Sequence, residues 1–299
     1  METGEPILAL DIGGTKMLAA LVDGRDVRAT QVLATPQTGD PAGWLAALFA
    51  AIGEWRGRYT AVGVAVTGIV DDGCWSALNR RTLDIPDRFP LVETVAALAG
   101  TDRVSAANDA QAAAWGESRF GAGQGGDLVF LTISTGIGGG IVLNGRLLGG
   151  LAGHFGQFRT AGADGTLEDG VSGRFIADAA QTHLPGASAR DVFSAANQGA
   201  DWAERIVETS ARRAATLLRN IHLAIDPPCI VIGGGIGLAP GYLDRLRALL
   251  SPLPPRLTPR LLPAALADKA GVIGIAALAR NESFTTITKR ENDHDHSTL

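Results

Sequence analysis

Cysteine is almost missing: Cys74 and Cys229 are the only two in 299 residues, and they stand far apart. That usage offers no disulfide framework and makes a reducing, cytoplasmic setting the expectation. Long hydrophobic runs are missing too, because glycines, prolines and charges interrupt every apolar stretch before the roughly 18 residues of a membrane span. The N-terminus enters an apolar strand pattern without the charged and cleavable regions of a signal peptide. A soluble protein with no membrane partner is therefore expected. Basic charge is not in excess, since 26 Lys and Arg against 31 Asp and Glu leave a formal net charge of -5 and no basic patch is visible. Nucleic acid, which binds through its phosphate backbone, is excluded as a partner class.

What is abundant is glycine, at 39 residues, within a chain that is 46% hydrophobic. The length suffices for a sizeable core and for about two domains. The segment ILALDIGGTKMLAALVDG reads as a strand, a glycine turn, a second strand and an Asp-Gly hairpin at Asp23 and Gly24. Far downstream, LVFLTISTGIGGGIVLNG repeats the plan and closes with Asn144 and Gly145. Two such hairpins indicate an internal duplication. Between them, PAGWLAALFAAIGEWRGR has helical spacing, AVGVAVTGIV reads as a strand, and PLVETVAALAG is a helix opened by Pro90 and stopped by Gly100. RVSAA is strand-like and NDAQAAAWGESRF helical; ADWAERIVETSARRAATLLRNIHLAI is the longest helical pattern. CIVIGGG then gives a buried strand and glycine turn, YLDRLRALL a helix and VIGIAALAR a last helix. This alternation predicts an α/β protein. The polar ending ESFTTITKRENDHDHSTL has no apolar periodicity and reads as a disordered tail over 283–299.

Glycine loops after strands can present backbone N–H groups to phosphate oxygens. Three qualify: Gly13-Gly14-Thr15-Lys16, Thr135-Gly136-Ile137-Gly138-Gly139 and Gly233-Gly234-Gly235. One alone would be an ordinary tight turn; three at strand ends, two of them repeated, point to a nucleotide. Neither a Walker A loop nor a dinucleotide fingerprint fits, because the first two loops lead into strands and not into helices. Asn108 and Asp109 stand at a strand end, and read from the residues alone either could simply cap the following helix, with Gln111 completing a capping box. A lone histidine such as His154 in a glycine-rich loop is, on the same footing, more often solvated or packed than functional.

LALDIGGTK, STGIGGG, AGHFG and IVIGGGIG resemble, in order, the signature segments of the ROK family (repressors, open reading frames and kinases), over roughly residues 7 to 280. The resemblance implies a two-lobed, actin-like ATPase (ribonuclease H-like) α/β fold with internally duplicated domains. The lobes would be 1–107 and 108–282, with the last helix, about 271–281, packing back on the first. TGIVDDG, ALN, FPLV, NDAQAAAWGE, GLAGH and VSGRFIA look most like the members that phosphorylate N-acetylmannosamine in sialic acid catabolism. The activity so implied is MgATP-dependent phosphorylation of the sugar 6-hydroxyl, within lobes that close around both substrates.

By the same resemblance Asp11 helps organise Mg²⁺, and Gly13, Gly14, Thr15, Lys16, Thr135, Gly136 and Gly138 approach the ATP phosphates. Gly234 and Gly235 lie beside the adenosine. Asp109 is the catalytic base, a task that suits a carboxylate able to accept and orient a hydroxyl. Asn79, Asn108, Asp109, His154, Gln157 and Glu168 bind the sugar. His154 stands where many glucose kinases of the family carry glutamate, which favours an N-acetyl sugar. Glucose or N-acetylglucosamine as substrate is the alternative within kinases. A sugar-responsive regulator is disfavoured because the first strand starts within about ten residues, leaving no helix-turn-helix, and a non-catalytic sugar-binding protein because Asp11, Asp109 and the three loops are all kept. The family often forms dimers, so a homodimer is a further expectation.

One departure is clear. The family usually holds a structural zinc with three cysteines and a histidine, and this sequence lacks all four: Gln157 replaces the histidine, and no cysteine lies between it and Glu168. A metal-free loop held by packing and hydrogen bonds is expected. Elemental analysis of purified protein should return no tightly held zinc; one zinc per chain would overturn this reading.

Overall fold

The run Ile7–Ile12 (β1) is apolar at all but one position and buried along nearly its whole length, as a strand covered on both faces requires. It turns back through Lys16–Asp23 (β2), which continues into Asp26–Ala34 (β3). Asp40 then caps Pro41–Ala51 (α1), accepting the Ala42 N–H, with Pro41 at the first helical position. Val62–Val66 (β4) follows, then a small antiparallel pair, Ile69–Asp71 (β5) and Cys74–Ser76 (β6). The strand expected over AVGVAVTGIV is thus two strands, broken at Thr67-Gly68. The reason is Gly68, at φ +117, where a Cβ would collide with the Ser76 carbonyl oxygen. Leu91–Ala99 (α2) starts after Pro90 and stops at Gly100, left-handed at φ 71. Val104–Asn108 (β7) runs straight into Asp109–Phe120 (α3).

The second half opens with Leu128–Ile133 (β8), Ile137–Leu143 (β9) and Arg146–Leu147 (β10). Asn144 and Gly145 both take positive φ in the turn, and the Asp127 carboxylate accepts their two N–H groups at 2.7 and 3.0 Å. Three helices that the sequence pattern did not single out come next: Glu168–Val171 (α4), Gly173–Ala180 (α5) and Ala189–Asn197 (α6). Asp201–Ile225 (α7) is the expected long helix, with Ala203, Val207, Ser210, Ala211, Ala214, Leu217, Leu218 and Ile221 buried at helical spacing. Ile230–Gly233 (β11) leads into the single turn Gly234–Gly237 (α8), Tyr242–Leu250 (α9), Leu261–Pro263 (β12) and Ala270–Arg280 (α10).

The computed structural model describes residues 5–36, 40–78, 83–159 and 165–281; Asn79 and the expected tail lie outside them. The chain divides into two units, one ending at Asp109 and resuming at Ile275, the other Ala110–Gly274. Each has its own five-stranded sheet and its own apolar core. The sheets repeat one plan. β3-β2-β1 is an antiparallel meander extended by parallel β4 and β7, and β10-β9-β8 is the same meander extended by parallel β11 and β12. The duplication read from the hairpins therefore extends over whole sheets. Among the described residues no helix is long and apolar enough to cross a membrane.

Within the second unit, α3 and the start of α10 meet through glycine. A Cβ on Gly116 would lie 2.6 Å from the Ala270 carbonyl oxygen, and one on Gly274 would overlap that of Ala112. Gly274→Ala should therefore force the helices apart and cost about 1–3 kcal/mol, the usual scale of overpacking, read as a lowered midpoint in urea or thermal unfolding.

Candidate active site

In the first unit the parallel register aligns Ile12 with Val66 and Val66 with Asn108. The carboxyl ends of β1, β4 and β7 thus fall on one edge, where open α/β sheets bind their ligands. Gly13–Lys16, Thr67-Gly68 and Asp109 all emerge there. The Gly13 N–H donates to the Lys16 carbonyl at 3.0 Å, closing the turn. Thr35, buried beyond the end of β3, fastens it from the side: its hydroxyl donates to the Gly13 carbonyl at 2.7 Å and its N–H to the Thr15 carbonyl at 3.1 Å. Gly13 and Gly14 are half-buried, while Thr15 and Lys16 face solvent.

Asp109 is the first residue of α3, and its Oδ2 accepts the Thr67 hydroxyl at 3.0 Å. Thr67 is itself held, because the indole N–H of fully buried Trp75 donates to its carbonyl at 2.8 Å. Buried Asn108 donates its amide to the Gly68 carbonyl at 2.8 Å. The Asp109 carboxylate is thereby fixed by the loop that broke the expected strand. Across the edge, burial pushes the Asp11 carboxyl up to about 6, the negative charge of Asp109 adding to the rise and Lys16 opposing it. Asp11 is thus a half-buried carboxylate close enough to a second one for its charged form to be disfavoured.

In the second unit Thr135 and Gly136 occupy the β8–β9 turn, Gly138 lies at the start of β9, and Gly234 lies at the carboxyl end of β11. Gly234 has φ +84, and a Cβ there would meet the Ile133 carbonyl oxygen, so the two turns abut. Gly235 is open to solvent. The segment 168–174 clamps the β8–β9 turn. The Ile137 N–H donates to Glu168 Oε2 at 2.8 Å, the Gly173 N–H to the Ser134 carbonyl at 2.7 Å and the Arg174 N–H to the Thr135 carbonyl at 3.4 Å. Arg174 also pairs with Glu168 Oε1. The clamp has its own anchors on α7: the Ser210 hydroxyl donates to the Val171 carbonyl at 2.7 Å and sits 2.8 Å from the buried Tyr242 hydroxyl, and the Arg213 guanidinium donates to the Gly170 carbonyl at 3.0 Å.

His154 is half-buried and opens the 3₁₀ turn Phe155–Gln157. This turn packs on the β9 hairpin: a Cβ on Gly156 would lie 2.6 Å from the Ile137 carbonyl oxygen, and buried Phe155 covers Gly139. Phe158 meets Phe155 edge-on at 5.7 Å, and the Leu167 N–H donates to the Phe158 carbonyl at 2.7 Å. Gln157 is exposed. Among the described residues no group of three or more His, Cys, Asp or Glu is arranged to hold a metal ion.

Thr35, Thr67, Gln111, Arg174 and Ser210 were not picked out from the sequence as site residues. Gln111 carried a signal, being a polar residue inside an alanine run. Its buried amide donates to the Gly150 and Ala152 carbonyls at 3.0 and 2.8 Å and so ties α3 to the loop that carries His154.

Paired meander-plus-parallel sheets, each with a glycine turn and a carboxylate at its carboxyl edge, define the fold of the actin-like ATPases and of the sugar kinases built on it. A family model described as ROK family matches residues 7–282, and the chain belongs to that family. It is 48% identical over 279 residues to a protein of Brucella suis biovar 1 (strain 1330) named "Bifunctional enzyme NanE/NanK", covering 92% of this chain and 53% of that one. The chain thus spans about half the length of this relative. It is 42% identical to the N-acetylmannosamine kinase of Shigella flexneri, with 93% of this chain and 99% of that one covered. The structure is similar to that of a ROK family glucokinase from Streptomyces griseus in complex with glucose and AMPPNP, with a TM-score of 0.77 and 32% identity, over 92% and 99% of the two chains.

Removing the Gln111 amide strands two loop carbonyls. Gln111→Leu should lower stability by roughly 1–3 kcal/mol, the cost of unpaired buried groups, checked by unfolding midpoints.

Proposed function

We propose that this chain is a cytoplasmic, ATP-dependent kinase that phosphorylates the 6-hydroxyl of N-acetylmannosamine, a step of sialic acid catabolism. The observation that carries the reading is Asp109, a carboxylate at a strand-to-helix junction, oriented by Thr67 and facing Asp11 closely enough to shift its titration. The relatives at 48% and 42% identity point to the substrate.

In this reading Asp109 accepts the proton of the sugar 6-hydroxyl. The hydroxyl oxygen forms a bond to the γ-phosphorus as the bond to the β–γ bridging oxygen breaks, and ADP leaves with the electron pair. Little covalent chemistry falls to the protein, so positioning and electrostatics carry the rate. Gly13–Lys16 and Thr135–Gly138 approach the phosphates, and Gly234 and Gly235 border the adenosine. Asn79, Asn108, His154 and Glu168 hold the sugar, with Gln157 at the rim. Mg²⁺ typically binds through one or two carboxylates plus substrate phosphates and keeps several waters. Asp11, buried and raised by a neighbouring negative charge, fits such a cation brought in with the nucleotide. Bound there, it would neutralise charge developing on the phosphoryl oxygens.

Asp109→Asn keeps the shape and the hydrogen bond to Thr67 but cannot take the proton. It should fold normally and lose about 10²–10⁴-fold in kcat, the usual contribution of a general base; near-normal turnover would refute the assignment. ADP release coupled to a spectrophotometric assay should be fastest with N-acetylmannosamine. A preference for glucose or N-acetylglucosamine would move the substrate within the family, and ADP release with none of the three would overturn the kinase reading.

A further inference from the structure

The clamp on the β8–β9 turn contains a charge that needs an explanation. Glu168 sets a carboxylate within the glycine turn itself: Oε2 accepts the Ile137 N–H at 2.8 Å and lies 2.6 Å from where a Cβ of Gly136 would be. A turn meant for a polyphosphate gains nothing from a bare negative charge at that distance, since like charges in a partly desolvated site repel strongly. The side chain is one-fifth exposed, so water alone does not screen it.

Arg174 answers that charge. Its guanidinium pairs with the other oxygen, Oε1, while its own backbone N–H donates to the Thr135 carbonyl at 3.4 Å. It stands on the first turn of α5, whose first residue, Gly173, donates its N–H to the Ser134 carbonyl at 2.7 Å. Gly173 has no room for a side chain, because a Cβ would come within 2.8 Å of that same oxygen. The helix start is therefore pressed onto the turn, and Arg174 is held where it can meet Glu168 without leaving its own backbone contact. The guanidinium remains about half exposed, at 48%.

We infer that Arg174 is a positioning residue for nucleotide: through its pair with Glu168 it neutralises the carboxylate that buttresses the phosphate-binding turn, so that the buttress is kept and its repulsion of the polyphosphate is removed. The inference rests on the proposed kinase reading, which puts the phosphates at this turn. It assigns Glu168 a second duty beside the sugar contact, that of holding the Ile137 N–H in the turn, and it gives Arg174 a duty where the family resemblance suggested none.

The test uses the full chain and titrates MgADP calorimetrically, with steady-state KM values for ATP and for sugar measured beside it. Arg174→Met bares the carboxylate and should weaken MgADP binding and raise the KM for ATP by about tenfold, a modest figure because the pair is partly screened, with kcat and the KM for sugar changing much less. Arg174→Lys should restore most of the affinity. Glu168→Gln keeps an acceptor for the Ile137 N–H, removes the negative charge, and should bind MgADP at least as tightly as the wild type. The double variant Glu168→Gln/Arg174→Met should recover MgADP affinity lost by Arg174→Met alone. Raising the salt concentration should narrow the gap between Arg174→Met and wild type.

If Arg174→Met binds MgADP as the wild type does, the inference fails while the kinase reading stands. If the double variant stays as weak as Arg174→Met, the arginine acts on the phosphates directly or only as a structural support, and the inference is again overturned. Should wild-type protein bind no MgADP at all, the proposed function falls and the inference with it. Thermal unfolding of each variant separates loss of binding from loss of fold.

Discussion

A glycine turn that is to receive a ligand must leave part of its backbone unpaired, and an unpaired backbone does not hold its shape. Both units meet this constraint by fastening the turn from the side that faces the protein. In the first, Thr35 takes the Gly13 carbonyl with its hydroxyl and the Thr15 carbonyl with its N–H. In the second, Glu168 takes the Ile137 N–H, while the Gly173 and Arg174 N–H groups take the Ser134 and Thr135 carbonyls. Preorganisation of this kind is what makes a backbone site effective, since no reordering is required when charge arrives.

The two carboxylates of the first unit depend on the same economy. Asp109 closes the first segment of that unit, at the point where β7 becomes α3, so a strand end and a helix start jointly set its direction. Thr67 completes the setting, and Trp75, fully buried, sets Thr67. A chain of support thus runs from a buried core residue to the Asp109 carboxylate in two hydrogen bonds. Asp11, two strands away on β1, carries the consequence as a raised titration range driven first by burial and then by Asp109. Positive charge arriving with a nucleotide would relieve it.

The described part of the loop that follows β10 is fixed by packing and by a buried amide. The ring of Phe155 fills the space over Gly139, Phe158 stacks against it edge-on, and Gln111 reaches across from α3 to hold the Gly150 and Ala152 carbonyls. Apolar burial and a satisfied buried amide are the ordinary means of fixing a loop, and here they lie directly against the β9 hairpin.

The strands, most of the helices and the duplicated hairpins could be read from the chain because they are local matters: alternation of apolar residues, Asn144-Gly145 demanding a tight turn, Pro90 and Gly100 bounding α2. The same is true of the glycine turns and of Asp109 at a strand end. What the chain alone did not reveal is which distant groups would meet them. Gly68 breaks a run that reads as one strand, because its positive φ and the closeness of Ser76 exist only once β5 and β6 pair. Thr35, Thr67, Arg174 and Ser210 are ordinary residues in sequence, and their partners are 22, 42, 6 and 39 positions away. Local propensity and spacing determined the elements and the candidate ligands of this protein; tertiary structure decided their hydrogen-bond partners and electrostatic neighbours, because those depend on distances that form only when separate segments pack together.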